Sequence, residues 1–137
     1  MKKIPTRIAV VAALIEDLDG RILMQKRGPA GRHAGLWEFP GGKVEMGESA
    51  GIALFREIEE ELALQIEIAG LSLAGTAKED AKGAFPAIVM NLYRVARWSG
   101  PIEAQQGQEW GWFALEEAAK LPMPPMDVSL VDSLRAH

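Results

Sequence analysis

The sequence predicts an α/β fold in which a mixed β-sheet lies between helices. Two apolar, β-branched runs stand before residue 30, an amphipathic stretch follows Ser49, and three more strand-like runs precede an amphipathic C-terminal segment. That order, ββαβββα, suits a sheet covered by helices on both faces.

Each element has its own signal. Residues 7–16 are apolar at both alternating positions, residues 17–20 carry turn chemistry, and residues 21–27 return as a strand. The pair is expected to form a buried hairpin. Residues 28–35 read as a loop. Ser49 is the expected N-cap of a helix ending near Leu62, with Gly51 inside it at a cost of about 1 kcal/mol relative to alanine. Residues 64–76 and 85–97 read as strands joined by a polar loop at 77–84, and residues 109–114 as a short strand. Residues 115–120 should form a helical turn. The prolines of 121–126 argue against regular helix there, and residues 127–136 form the final amphipathic helix.

A length of 137 residues with 48% apolar content fits one domain spanning residues 1–137, built on one core. The absence of cysteine excludes disulfides and thiolate metal sites and fits a reducing, cytoplasmic location. No run approaches the roughly 18 apolar residues of a membrane span, so no membrane association is expected. A net charge of −4 gives no general attraction to nucleic-acid polymers. Phosphate recognition must then be local, and no obligate protein partner is evident.

The chemistry concentrates between residues 36 and 64. At about 100° per residue, Glu57, Glu60 and Glu61 fall in one sector of the helix, while Leu54, Phe55, Ile58 and Leu62 form another. Like charges at these spacings cost about 0.2–0.5 kcal/mol per pair, a penalty that a divalent cation reverses. Oxygen ligands point to Mg²⁺, with Mn²⁺ as the alternative, rather than zinc. An acidic run is otherwise simply a solvated face. Here it follows Phe39-Pro40-Gly41-Gly42-Lys43, whose glycines expose backbone polar groups and whose lysine brings positive charge for phosphate.

This string closely resembles the Nudix box, G-x5-E-x7-R-E-U-x-E-E-x-G-U, with U a bulky aliphatic residue. Gly42, Glu48, Arg56, Glu57, Ile58, Glu60, Glu61 and Leu64 match it. Ala63 departs, standing where the pattern has a glycine in the left-handed C-cap position. Alanine there costs about 1 kcal/mol if φ is positive, and no ligand is lost. Outside the box, the runs Met24-Gln25-Lys26-Arg27, Trp37-Glu38-Phe39-Pro40, Trp110-Gly111-Trp112-Phe113 and Pro124-Pro125-Met126-Asp127 resemble MutT-type nucleoside triphosphate pyrophosphohydrolases.

The resemblance implies the Nudix α/β/α sandwich and a Mg²⁺-dependent hydrolase that attacks the β-phosphorus of a nucleoside triphosphate, releasing a monophosphate and pyrophosphate. It implies metal ligands at the Gly41 carbonyl, Glu57, Glu60 and Glu61. Catalytic roles would fall to Glu57, Arg56 and Glu60, with Arg56 and Glu48 supporting the loop and helix. Substrate would be bound by Arg27, Arg32, Glu38, Phe39, Pro40, Gly41, Lys43 and Asp127. Glu57 is the candidate general base, and a glutamate of residues 103–109 is the alternative. Gln106 stands where relatives carry a loop glutamate, so it binds a cation only as a neutral ligand unless Glu109 substitutes. Asp127 takes the base-reading position, against the alternative that it merely caps the last helix. Hydrolysis of 8-oxo-dGTP is the first expectation and of CTP or dCTP the second. A non-catalytic nucleotide-binding module is a further alternative, disfavoured by the intact carboxylates.

Overall fold

The computed structural model describes residues 7–29 and 33–136. In chain order it contains β1 (Arg7–Leu14), β2 (Ile22–Lys26), β3 (Trp37–Glu38), β4 (Gly41–Lys43) and α1 (Ala50–Leu62). Then follow β5 (Gln65–Ile66), a 3₁₀ turn (Ile68–Gly70), β6 (Leu71–Glu79), β7 (Ala87–Val95), β8 (Trp98–Ser99), β9 (Glu109–Phe113), α2 (Leu115–Ala118) and α3 (Pro125–Arg135).

The main sheet has the order β4-β1-β7-β6. Its centre is parallel, with β1 running beside β7 from Arg7↔Ala87 to Leu14↔Arg94, while β4 and β6 pair antiparallel at the edges. A second, antiparallel sheet has the order β3-β2-β9, and β5 pairs with β8. The sheet is therefore mixed, as expected. The expected hairpin is not formed: β1 and β2 belong to different sheets and meet only at the Glu16↔Ile22 bridge below the turn. A strand apolar on both faces must be covered on both, and β1 is such a strand, buried from Val11 to Leu14. Ala12 and Leu14 pack toward α3 with Leu92, Leu130 and Val131, whereas Val11, Ala13 and Ile15 pack toward α1 with Leu54, Ile58 and Leu62. Helices thus cover both faces of the sheet.

Helix α1 starts where the sequence places it. Ser49 Oγ accepts the Ile52 N–H at 3.2 Å, and Ala63 ends the helix in the left-handed conformation at φ 58°, ψ 19°. Gly51 has a packing reason: a Cβ there would lie 2.7 Å from Ile68 Cγ2 in the 3₁₀ turn.

Other boundaries are corrected. The strand expected at 64–76 is broken by the 3₁₀ turn and resumes as β6 to Glu79, which takes the start of the expected loop. The second of that pair begins at Ala87 rather than residue 85. The last helix begins at Pro125, in the segment expected to be irregular, because proline at the first helical position loses no hydrogen bond. Strands β3 and β4 lie between the expected loop at 28–35 and α1, in a stretch that carries no strand signal. Among the described residues no helix is long and apolar enough to cross a membrane.

Candidate active site

Strand β4 sits at the edge of the main sheet, between two hollows. Gly41 must be glycine, since a Cβ there would lie 2.0 Å from Val11 O and 2.7 Å from Ala12 Cα, both backbone atoms. At Gly42 a Cβ would lie 2.4 Å from the Glu57 carboxyl carbon. The two glycines thus let β4 run flush against β1 while the Glu57 carboxylate rests on the strand.

Arg56 organises the acidic sector of α1. Its Nε and Nη2 grip both oxygens of Glu48 at 2.7 and 2.8 Å, Nη1 donates to Glu57 at 2.9 Å and to Glu60 at 3.3 Å, and Nη2 donates to the Lys43 carbonyl at 3.1 Å. This bidentate pairing holds the Glu48 carboxyl down at about 2. The sector is therefore not simply repulsive, as spacing alone suggests, because one guanidinium threads it. Arg56 itself lines neither hollow.

Glu61 differs. Its Oε1 accepts the Gly41 N–H at 3.1 Å and its Oε2 accepts the side-chain amide of Gln25. Among the described residues no cationic side chain pairs with it, and burial pushes its carboxyl up to about 8. Burial also raises Glu57 above the usual carboxylate range, against the lowering effect of Arg56.

One hollow is a polar cleft walled by Gln25, Lys26, Arg27, Glu38, Gly41 to Lys43, Glu57, Glu60, Glu61 and residues 106–108. The other is a mostly apolar cavity of about 370 Å³ lined by Ile8, Val10, Phe39, Ile88, Met90, Pro124, Met126 and Asp127, with His33 and Phe85 also on its wall. Arg27, Glu38, Gly41, Gly42 and Lys43 face both. Arg27 Nε donates to Glu38 Oε1 at 2.7 Å, and burial outweighs this pairing to raise Glu38.

Asp127 does not cap α3, whose N-cap is Pro124. It is 3% exposed, and its Oδ2 accepts the buried Phe39 N–H at 3.0 Å. Burial pushes its carboxyl up to about 7.

Most residues singled out from sequence thus meet around these two hollows. Pro40 and Arg56 line neither; Pro40 is buried, and its carbonyl accepts the Ala13 N–H at 2.9 Å. Arg32 lies outside the described residues. Glu109 is the register partner of Lys26 in the second sheet but is not among the residues walling the cleft, while Gln106 lines it. Gln25 and Gln108 were not legible as site residues, because neutral amides leave no charge pattern.

The donors fit a hard divalent cation. They are oxygens, and one of them, the part-buried Glu61 carboxyl, has no cationic side chain beside it among the described residues. Among the described residues no three acidic or histidine side chains yet form a ready-made cage. Gathering them takes rotation of Glu60, whose side chain is 57% exposed.

Family comparison decides the class. The NUDIX domain model matches residues 5–134. The chain belongs to the Nudix family. Its relatives include the CTP pyrophosphohydrolase of Escherichia coli (strain K12), 36% identical over 94% of this chain and 92% of that one. The 8-oxo-dGTP diphosphatase of Haemophilus influenzae is 30% identical over 93% and 90%. Among solved structures, the MutT NUDIX hydrolase from Burkholderia pseudomallei superposes with a TM-score of 0.83 at 29% identity, covering 95% of this chain and 99% of that one. The protein is thus a MutT-type Nudix hydrolase acting on phosphoric anhydride bonds of nucleotides, in a family that generally uses divalent metal ions.

A stability prediction follows from the buried acids of this Nudix site. Glu61 and Asp127 keep their protons to about pH 8 and 7 in the folded protein, but an unfolded chain loses them near 4.5 and 3.8. Where the folded state binds more protons, stability falls as pH rises. In chelator, the melting temperature should therefore drop by several degrees from pH 5 to pH 8.5. Glu61→Gln should flatten that drop and remove the metal-dependent rise in melting temperature. Thermal melts across pH, with and without Mg²⁺, check both statements.

Proposed function

We propose that this protein is a Mg²⁺-dependent nucleoside triphosphate pyrophosphohydrolase that converts a triphosphate and water to a monophosphate and pyrophosphate. The observation that carries the reading is the pairing of an acid-lined cleft with an apolar cavity across one shared glycine strand. That pairing matches a molecule with a charged chain at one end and a flat base at the other.

In this reading the Gly41 carbonyl and Glu57, Glu60 and Glu61 hold the cation, with Mn²⁺ able to replace Mg²⁺. When bound, it offsets phosphate charge and favours deprotonation of the attacking water. Lys43 and Arg27 orient the triphosphate from the shared wall. Glu57, kept against Gly42 by Arg56, takes the water's proton. Arg56 is a positioning residue here, anchored in turn by Glu48.

The base lies in the cavity beside Asp127. With a carboxyl titrating near 7, Asp127 is present in both forms at neutral pH, accepting through one and donating through the other. That suits an edge with an N–H donor next to an acceptor. Cytosine offers N4–H and N3, and 8-oxoguanine offers N7–H and O6. The 36% likeness to a CTP pyrophosphohydrolase, against 27% and 30% for two 8-oxo-dGTP diphosphatases, supports a cytidine triphosphate first. This reverses the order expected from sequence. The second reading, 8-oxo-dGTP, is favoured by the cavity's size, since about 370 Å³ leaves room for a bicyclic base.

Pyrophosphate release measured on CTP, dCTP, 8-oxo-dGTP and dGTP tests the proposal. CTP or dCTP should give the highest kcat/KM, and excess EDTA should abolish turnover. A higher value for 8-oxo-dGTP moves the assignment to the second reading. No release from any of the four in Mg²⁺ refutes it.

A further inference from the structure

Three glutamines, Gln25, Gln106 and Gln108, line the acid cleft. Two of them are wired into α1. Gln25 is 3% exposed, and its Nε2 donates to Glu61 Oε2. Gln108 Nε2 donates to Gln25 Oε1 at 3.5 Å and to the Glu61 main-chain carbonyl at 3.2 Å. The direction of this relay is set by chemistry. The carboxylate form that a cation requires only accepts, and Gln25 is set for it, with its amide NH₂ turned to Glu61 Oε2 and its oxygen away, where a buried acceptor needs a donor behind it. Gln108 is that donor.

The segment carrying Gln108 is fastened to the same helix end. The Glu103 N–H donates to the Leu62 carbonyl at 2.9 Å and the Gln105 N–H to the Glu61 carbonyl at 3.0 Å. A helix leaves its last carbonyls open, and residues 103–108 fill two of them. The placement of this segment and the direction of the Glu61 carboxylate are thereby one arrangement.

From this relay we infer that Gln25, backed by Gln108, is a positioning residue that fixes the Glu61 carboxylate for a divalent cation and ties that orientation to the docking of residues 103–108 along the cleft. The inference rests on the reading of Glu61 as a cation ligand. With Gly41 N–H on one oxygen and Gln25 on the other, the carboxylate has no rotamers to search when the cation arrives. Partners of this kind commonly change metal affinity or activity by about ten- to a hundredfold.

The test titrates Mn²⁺ alone into nucleotide-free protein, reading the free ion by electron paramagnetic resonance, alongside kcat and KM for CTP. Gln25→Met keeps length and loses the amide; it should weaken Mn²⁺ binding about tenfold and lower kcat with KM changed less than about twofold. Gln108→Ala leaves the core intact and should weaken Mn²⁺ about threefold while melting like wild type in chelator, a combination that a purely structural role does not give. Gln105→Ala, whose lost side chain donates only locally to Glu103 O at 2.7 Å, should leave Mn²⁺ binding unchanged. Wild-type Mn²⁺ affinity in both Gln25→Met and Gln108→Ala, with Glu61→Gln still impaired, overturns the positioning role. Wild-type affinity in Glu61→Gln overturns the ligand reading, and the positioning role with it.

Discussion

Glu57→Gln should lower kcat by about a hundred- to a thousandfold while leaving the chain folded. The substituted amide can still accept the Arg56 Nη1–H that the carboxylate accepts at 2.9 Å, and it occupies the same space beside Gly42. What it loses is a negative charge on the cation and a place for the water's proton. Circular dichroism and melting in chelator should match wild type, and residual activity should respond only weakly to added Mg²⁺. A near-normal rate would remove Glu57 from the chemistry and return the role of base to the 103–109 segment.

Asp127 gives the second large effect. Asp127→Ala should reduce kcat/KM on the preferred triphosphate by about ten- to a hundredfold, since it strips a base contact worth roughly 1–3 kcal/mol. It also orphans the buried Phe39 N–H, so some loss of stability accompanies it. Asp127→Asn separates the two. Its oxygen can keep the Phe39 N–H, leaving an NH₂ facing the cavity that donates and cannot accept. Cytosine keeps N3 and 8-oxoguanine keeps O6 as a partner for that NH₂, but each loses the acceptor for its N–H, so both should fall, by less than in Asp127→Ala. Comparing CTP with 8-oxo-dGTP for wild type and both variants checks this. Wild-type activity of Asp127→Asn on every nucleotide, with Asp127→Ala impaired on all of them, would reduce Asp127 to a prop for the Phe39 loop.

How legible these features were depends on how local their physics is. Helix α1 is declared by Ser49, by the apolar set Leu54, Ile58 and Leu62, and by the left-handed stop at Ala63, all within one stretch of chain. The acids on its other face follow from spacing. The partners of β1 do not: two apolar strands around a tight turn look like a hairpin, yet β1 takes β7 from some eighty residues away, at Arg7↔Ala87. Strands β3 and β4 hold two and three residues, too few to show alternation, and glycine and proline disguise them further. Spacing placed Glu57, Glu60 and Glu61 together but could not reveal that Arg56 sits among them or that Glu61 is the buried one. The amides of Gln25 and Gln108 become visible only once β2 and residues 103–108 have converged on the end of α1.

The wall shared by the two hollows makes the protein a caliper. Gly41, Gly42 and Lys43 are pinned to β1 by the register Ala12↔Gly41, Val11↔Gly42, Val10↔Lys43, and a side chain at Gly41 would collide with main-chain atoms. On the proposed reading, the span from the cavity floor to the acid cleft is then a fixed length that the nucleotide must match. A base that sits too shallow drags its phosphates out of register with Glu57, so a poor fit in one hollow is felt as slow bond cleavage in the other. Selectivity in such a device need not come from tight binding. A wrong nucleotide can occupy the protein fully and still present the wrong atom to the water.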